Sequence, residues 1–319
     1  MRIVYMGTPE FARPPLVALC ESRHDVLAVV TGPDKHVGRG HKLVSTPVKQ
    51  EAEARGLPVL TPTRLKDNDL RNALAELNAD LFVVIAFRIL PETLFTLPRL
   101  GSVNIHGSLL PAYRGAAPIN WAIINGEAET GLTSFFLKKD VDTGNMILQE
   151  KTTIGPEDSY DLLASRMSAQ AGPFLLATLE AIERGDHAGV AQDSGRASFA
   201  PKLTPSNSML DWGFPAEYVH NFVRGLCSKP GAYTYFRGKR LKVLECRVSD
   251  DAEALVMRPG TVLSDKRRLL VQCANSVVEL TRIVPEGKGE MDGVAFLNGF
   301  RPRPDEVLGD LSVGEEEKR

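Results

Sequence analysis

The chain has 319 residues, enough for two domains with a core in each. Apolar residues make up 43% and charged residues 24%, the proportions of an ordinary globular protein. The 38 Lys and Arg against 40 Asp and Glu leave a net charge of −2, which excludes a polybasic binding strategy for the whole chain and leaves only local basic patches.

From the start, short apolar runs alternate with amphipathic stretches. Ile3–Met6, Val26–Thr31, Leu81–Ala86 and Val103–His106 are β-branched or apolar, and helical patterns such as Thr46–Arg55 and Asn68–Leu77 lie between them. Continuous apolar runs separated by helices predict a parallel sheet buried on both faces, and hence a Rossmann-like α/β domain. A helix is expected to begin at Pro9 with Thr8 as its cap. Apolar residues from Leu162 to Ile182 recur at helical spacing, predicting a long helix over Asp158–Arg184, bent or divided at Gly172-Pro173. The polar run that follows reads as a linker. Beyond it Ala232–Phe236, Leu241–Val248, Gly260–Leu263, Leu269–Cys273 and Val277–Val284 read as five short strands, which predicts a small OB-like β-barrel. The expected organisation is a catalytic domain over 1–185, a linker over 186–208, a second domain over 209–309 and a disordered tail over 310–319.

Cys20, Cys227, Cys246 and Cys273 show no CxxC spacing, which argues against a zinc site or a disulfide scaffold and predicts reduced, buried thiols. No apolar run approaches the roughly 18 residues of a membrane span, and the first residues enter a strand directly. A soluble, cytoplasmic protein is expected.

The chemistry concentrates in Val103-Asn104-Ile105-His106-Gly107-Ser108-Leu109-Leu110-Pro111. On a strand Asn104 and His106 share one face, at the carboxyl end where open α/β sheets place their sites. Asn can donate to an oxyanion, and His can donate or take a proton. A second candidate is Asp142-Thr143-Gly144. It is either a plain turn or a means of bringing a carboxylate to His106.

Together with Met6-Gly7-Thr8-Pro9-Glu10-Phe11, Arg114-Gly115-Ala116-Ala117-Pro118, Ala200-Pro201-Lys202-Leu203, Leu210-Asp211-Trp212 and Arg224-Gly225-Leu226, these motifs resemble the folate-dependent formyltransferase superfamily nearly end to end. Within it the chain resembles the branch that acts on charged initiator tRNA. The resemblance implies transfer of the formyl group of 10-formyltetrahydrofolate to the α-amino group of methionine on initiator tRNA, with Asn104, His106 and Asp142 catalytic. It implies a tetrahydrofolate segment at Ser108, Leu109, Leu110 and Pro111, a pterin side lined by Phe87, Arg88, Ile89 and Leu90, and no metal. A monomer suffices, and no membrane is involved.

The basic loop from Pro33 to Val48 is either simply solvated or a tRNA-binding insertion, and the resemblance favours the second, through Lys35, Arg39 and Lys42. From Lys229 to Arg247 six basic residues, Arg237, Lys239, Arg240 and Lys242 among them, face one acid, Glu245. With Tyr233, Tyr235 and Phe236 interleaved they suggest a cationic tRNA face, although the tyrosines fit a barrel core equally well. His220 and Trp121 read as structural. A formyltransferase acting on a sugar-nucleotide amine and a non-catalytic RNA-binding module are the alternatives. The absence of GxGxxG disfavours a nicotinamide-dependent enzyme.

Overall fold

The computed structural model describes residues 1–37, 42–185, 189–226, 230–249, 257–264, 267–303 and 306–309. Arg39, Cys227, Lys229, the side chain of Lys42 and the tail over 310–319 lie outside that description. The chain forms two compact units. One holds residues 1–118, 129–153 and 164–200; the other holds 119–128, 154–163 and the described residues after 200.

In chain order the elements begin with β1 (Arg2–Gly7), α1 (Arg13–Cys20), β2 (Asp25–Val30), β3 (Lys35–Val37), β4 (Lys42–Val44), α2 (Pro47–Ala54) and β5 (Val59–Leu60). They continue with α3 (Asn68–Glu76), β6 (Leu81–Ile85), α4 (Glu92–Phe95), β7 (Ser102–His106), β8 (Arg114–Gly115) and α5 (Pro118–Ile124). Next come β9 (Glu129–Phe136), β10 (Met146–Thr153), α6 (Tyr160–Arg184), β11 (Phe199–Ala200) and α7 (Ala216–Leu226). The last are β12 (Ala232–Phe236), β13 (Lys239–Val248), β14 (Val262–Ser264), β15 (Leu269–Gln272), β16 (Val277–Pro285) and α8 (Gly293–Phe300).

The first unit is built on a seven-stranded sheet in the order β10-β9-β7-β6-β1-β2-β5. The five strands from β5 to β7 run parallel, and β9 and β10 are antiparallel. Ile3 to Met6 and Leu81 to Ile85 are buried throughout, as strands covered on both faces must be. Alternation sends Val4, Met6, Phe82 and Val84 into a core shared with Leu70, Leu74, Leu90, Leu94 and Phe95. On α1, Ala18 comes so near Gly172 of α6 that a Cβ there would lie 3.1 Å from it.

Three expectations need correction. A 3₁₀ turn over Glu10–Ala12 precedes α1, and its cap position is Pro9 with no side-chain bond, so Thr8 does not cap the helix. Helix α6 runs unbroken through Pro173, so Gly172-Pro173 does not divide it. Part of the basic loop is an antiparallel hairpin, with Lys35 opposite Val44. Helix α8 carries no strong periodicity and was not anticipated.

The second unit carries a five-stranded antiparallel sheet in the order β12-β13-β16-β15-β14. Its outer strands are joined through residues 306–309: Val262 N donates to Glu306 O at 2.7 Å and Gly309 N to Tyr235 O at 2.8 Å. Its core includes Trp212, Phe222, Phe236, Val243 and Phe296. Cys20, Cys246 and Cys273 are free thiols, and burial pushes those of Cys246 and Cys273 up, Cys273 to about 12. Among the described residues no helix is long and apolar enough to cross a membrane.

Phe296 is fully buried, edge-on to Phe236 at 5.1 Å and stacked on Phe300 at 4.6 Å. Phe296→Ala is therefore expected to destabilise the second unit by about 3–5 kcal/mol, measured as a shift of its urea unfolding transition.

Candidate active site

Strand β7 is where the sheet changes sense, parallel to β6 and antiparallel to β9. Asn104 lies opposite Val84 on one side and Phe135 on the other. This puts Asn104 and His106 on the face that also carries the Val84 core. The Asn104 side chain is half-buried and has no hydrogen-bond partner among the described residues. Its amide is thus free to donate.

His106 is only 5% exposed. Its Nε2 lies 2.8 Å from the carbonyl oxygen of Tyr113. A carbonyl only accepts, so Nε2 carries the proton. Nδ1 is left facing Asp142 Oδ2 at 3.8 Å. Phe135 meets the ring edge-on at 6.5 Å.

Asp142 is buried and takes a left-handed backbone conformation, φ 55°. The N–H of Gly115 donates to Oδ2 at 2.8 Å. The strap 113–117 therefore holds the histidine through one backbone group and the aspartate through another. Strand β11 pins the strap. Tyr113 N donates to Ser198 Oγ at 2.9 Å, Arg114 N to Ser198 O at 2.9 Å and Ala116 N to Ala200 O at 2.9 Å. Gln192 completes the surround. Its Oε1 accepts from Arg114 Nε at 3.0 Å and Nη2 at 2.7 Å, and its Nε2 donates to the carbonyls of Asp142 and Gly144, both at 2.9 Å.

The turn after β7 is tied to β9 and β10. Thr133 Oγ1 donates to Ser108 O at 2.6 Å and accepts from Leu110 N at 3.0 Å, while Gln149 Nε2 donates to Leu110 O at 2.8 Å. Ser108 Oγ donates to Ala112 O at 2.6 Å. Ser108 and Leu110 are buried, whereas Leu109 and Pro111 are half-buried. In the 86–90 segment Leu90 joins the Val84 core and Phe87 packs against it, while Ile89 is 76% exposed. Arg88 lies 5.3 Å over Phe87 and donates to Pro62 O and Thr63 O. Burial lowers its pKa.

Lys35 is exposed. In the second unit Arg237 is held by both oxygens of Glu306, at 2.6 and 2.9 Å, and lies 4.6 Å over Phe236. Burial works against the charge on Glu306, but Arg237 holds its carboxyl below the usual range. Cross-strand pairing sets Tyr233 beside Lys242 and Tyr235 beside Arg240, on the face opposite Ala232, Phe236, Leu241 and Val243, which belong to the core. Arg240 stacks 3.9 Å over Tyr233, and Lys239 is exposed. His220 Nδ1 lies 2.9 Å from Cys246 O, and Trp121 Nε1 donates to Pro201 O, so both have structural partners.

Gln192 and Ser198 were not singled out in the sequence, because they lie in a polar run without periodicity. The one local signal was the Ala200-Pro201-Lys202-Leu203 motif that follows.

Gly115 has φ +125°, and a Cβ there would lie 2.6 Å from Ala200 O. Gly115→Ala should part the strap from β11, destabilise the first unit by about 1–3 kcal/mol and lower activity, measured by thermal unfolding and turnover on one preparation.

The formyl transferase family pattern matches residues 1–179, and its C-terminal domain pattern matches residues 202–301. A methionyl-tRNA formyltransferase of Pelotomaculum thermopropionicum is 41% identical over 310 residues, covering 97% of this chain and 98% of that protein. Among solved structures, the sugar 3N-formyl transferase WlaRD superposes with a TM-score of 0.67 at 16% identity, over 91% of this chain and 99% of that one. HypX from Aquifex aeolicus, in complex with tetrahydrofolic acid, gives 0.63 at 20% identity, over 96% of this chain and 48% of that one. At these identities the two structures share the fold. The near-complete match to the first relative goes further: the chain belongs to the methionyl-tRNA formyltransferase family.

Proposed function

We infer that the chain transfers the formyl group of 10-formyltetrahydrofolate to the α-amino group of methionine on initiator tRNA, with Asn104, His106 and Asp142 as its catalytic residues. The observation that carries this reading is the unpartnered Asn104 amide on one face with His106, whose Nδ1 lies 3.8 Å from Asp142, in a chain of this family.

The donor, when bound, supplies an electrophilic formyl carbon. The residues present suit it: a free amide donor, an ionisable pair, and the apolar surface of Phe87 and exposed Ile89 beyond β6. Leu109 and Pro111, half-buried in a turn fixed by Thr133 and Gln149, would hold the folate with them. Ser108, Leu110 and Leu90 act from beneath as the frame, and Arg88 braces Phe87.

His106 Nδ1, bare while the ring is neutral, takes the proton that the attacking amine loses, and Asp142 balances the resulting charge. The Nδ1–H so formed and the Asn104 N–H then face the oxyanion created at the formyl carbon, where fixed donors matter most. As the new C–N bond is completed and the old one breaks, Nδ1–H returns its proton to the departing folate nitrogen.

Residues 1–185 carry this chemistry in our reading, 186–208 connect, and the unit over 209–309 is an OB-like barrel closed by 306–309. On the tRNA side Lys35, Arg39 and Lys42 meet the acceptor end. Arg240 and Lys242 meet the backbone beside Tyr233 and Tyr235, exposed Lys239 reaches it from the strand end opposite Phe236, and Arg237 is held by Glu306 nearby. The enzyme acts as a cytoplasmic monomer.

Formyl transfer from 10-formyltetrahydrofolate, compared on methionyl initiator tRNA, methionyl elongator tRNA and an amino-sugar nucleotide, tests this. Transfer should favour the charged initiator and disappear in His106→Ala. Asn104→Ala should lower kcat by roughly 100- to 1,000-fold. Lys239→Ala with Lys242→Ala should weaken tRNA binding and flatten its salt dependence. Transfer to the sugar alone, or tRNA binding without transfer to any acceptor, would contradict it.

A further inference from the structure

We propose that Gln192 is a positioning residue for formyl transfer, acting through the Asp142 turn. The inference rests on the assignment of Asp142 and His106 made above and extends it to a residue that touches neither substrate.

The Gln192 amide has its full complement of hydrogen bonds. Both of its N–H groups go to backbone carbonyls, of Asp142 and Gly144, and its oxygen accepts twice from Arg114. Asp142 holds a left-handed backbone that residues other than glycine rarely adopt. A single donor group bridging the carbonyls on either side of Thr143 fixes the turn in that state and sets where the carboxylate leaves the chain. Arg114 adjoins Gly115, whose N–H holds Asp142 Oδ2, the oxygen that faces His106. The bonds thus close a ring: Gln192 to the Asp142 backbone, the Asp142 carboxylate to Gly115, and Arg114 back to Gln192. Opening it at Gln192 frees the turn and lets the carboxylate move away from Nδ1, while the strap still holds His106 through Tyr113 O.

Two variants open the ring differently. Gln192→Met has similar length and no hydrogen bonds. Gln192→Glu keeps an acceptor for Arg114 but sets a carboxylate against two carbonyl oxygens, and it carries the test if Gln192→Met does not fold. With the full chain and charged initiator tRNA, kcat should fall by ~100-fold, while KM for folate and for tRNA stays close to wild type. In an Asp142→Asn background, adding Gln192→Met should cause little further loss, because both act through one group. Unchanged kcat in both variants would overturn the proposal. So would losses that multiply in the double variant, which mark a merely structural role. Full activity in Asp142→Asn would remove this proposal together with the catalytic assignment; loss in Asp142→Asn beside an unaffected Gln192→Met would remove this proposal alone.

Discussion

Two backbone groups two residues apart, the carbonyl of Tyr113 and the N–H of Gly115, set the relation between the only histidine and the only aspartate brought together at the end of β7 among the described residues. The carbonyl selects which ring nitrogen of His106 holds the proton when the ring is neutral. The N–H selects which carboxylate oxygen of Asp142 faces the other nitrogen. Side chains reached by backbone groups of one short strap cannot drift independently, and this is the kind of preorganisation that makes fixed charges effective in a dry site. The strap relies on β11, and β11 on the close approach that only glycine allows at position 115.

The sheet explains why the site lies here. Parallel strands end together at their carboxyl edge, and Asn104 and His106 lie at that end of β7, the strand at which the sheet changes from parallel to antiparallel. Further along the same strands, residues on that face belong to a hydrophobic core. At the end of the strand the face becomes polar, and the Asn104 amide there has no partner among the described residues. The turn after β7 owes its shape to Thr133 and Gln149, so β9 and β10 serve as its scaffold.

Much of this was legible in the sequence. The runs at Ile3–Met6 and Leu81–Ala86 read as buried strands, and period-two alternation alone puts Asn104 and His106 on one face. The five C-terminal strands were equally clear, since short β-branched runs between charged turns leave few alternatives. Thr8, Pro173 and the hairpin around Lys35 misled because local rules at helix starts, prolines and glycine-rich loops yield to tertiary bonding. The least legible part was the buttress. Gln192 and Ser198 sit in a run that reads as linker by composition, and their bonds cross some 50 and 85 positions to Asp142 and Tyr113. No local pattern encodes a partner that far away. The basic cluster after β12 showed the reverse problem. Arg237 looks like its neighbours in sequence, yet it is engaged by Glu306, whereas Arg240 rests on Tyr233.

The measurement that tests the central claim most directly is the ¹⁵N NMR spectrum of the His106 ring across a pH titration. The account predicts that neutral His106 carries its proton on Nε2, that protonation occurs at Nδ1, and that Asp142→Asn perturbs the Nδ1 resonance far more than the Nε2 resonance. A neutral ring protonated on Nδ1, or an Nδ1 resonance indifferent to Asp142, would contradict it.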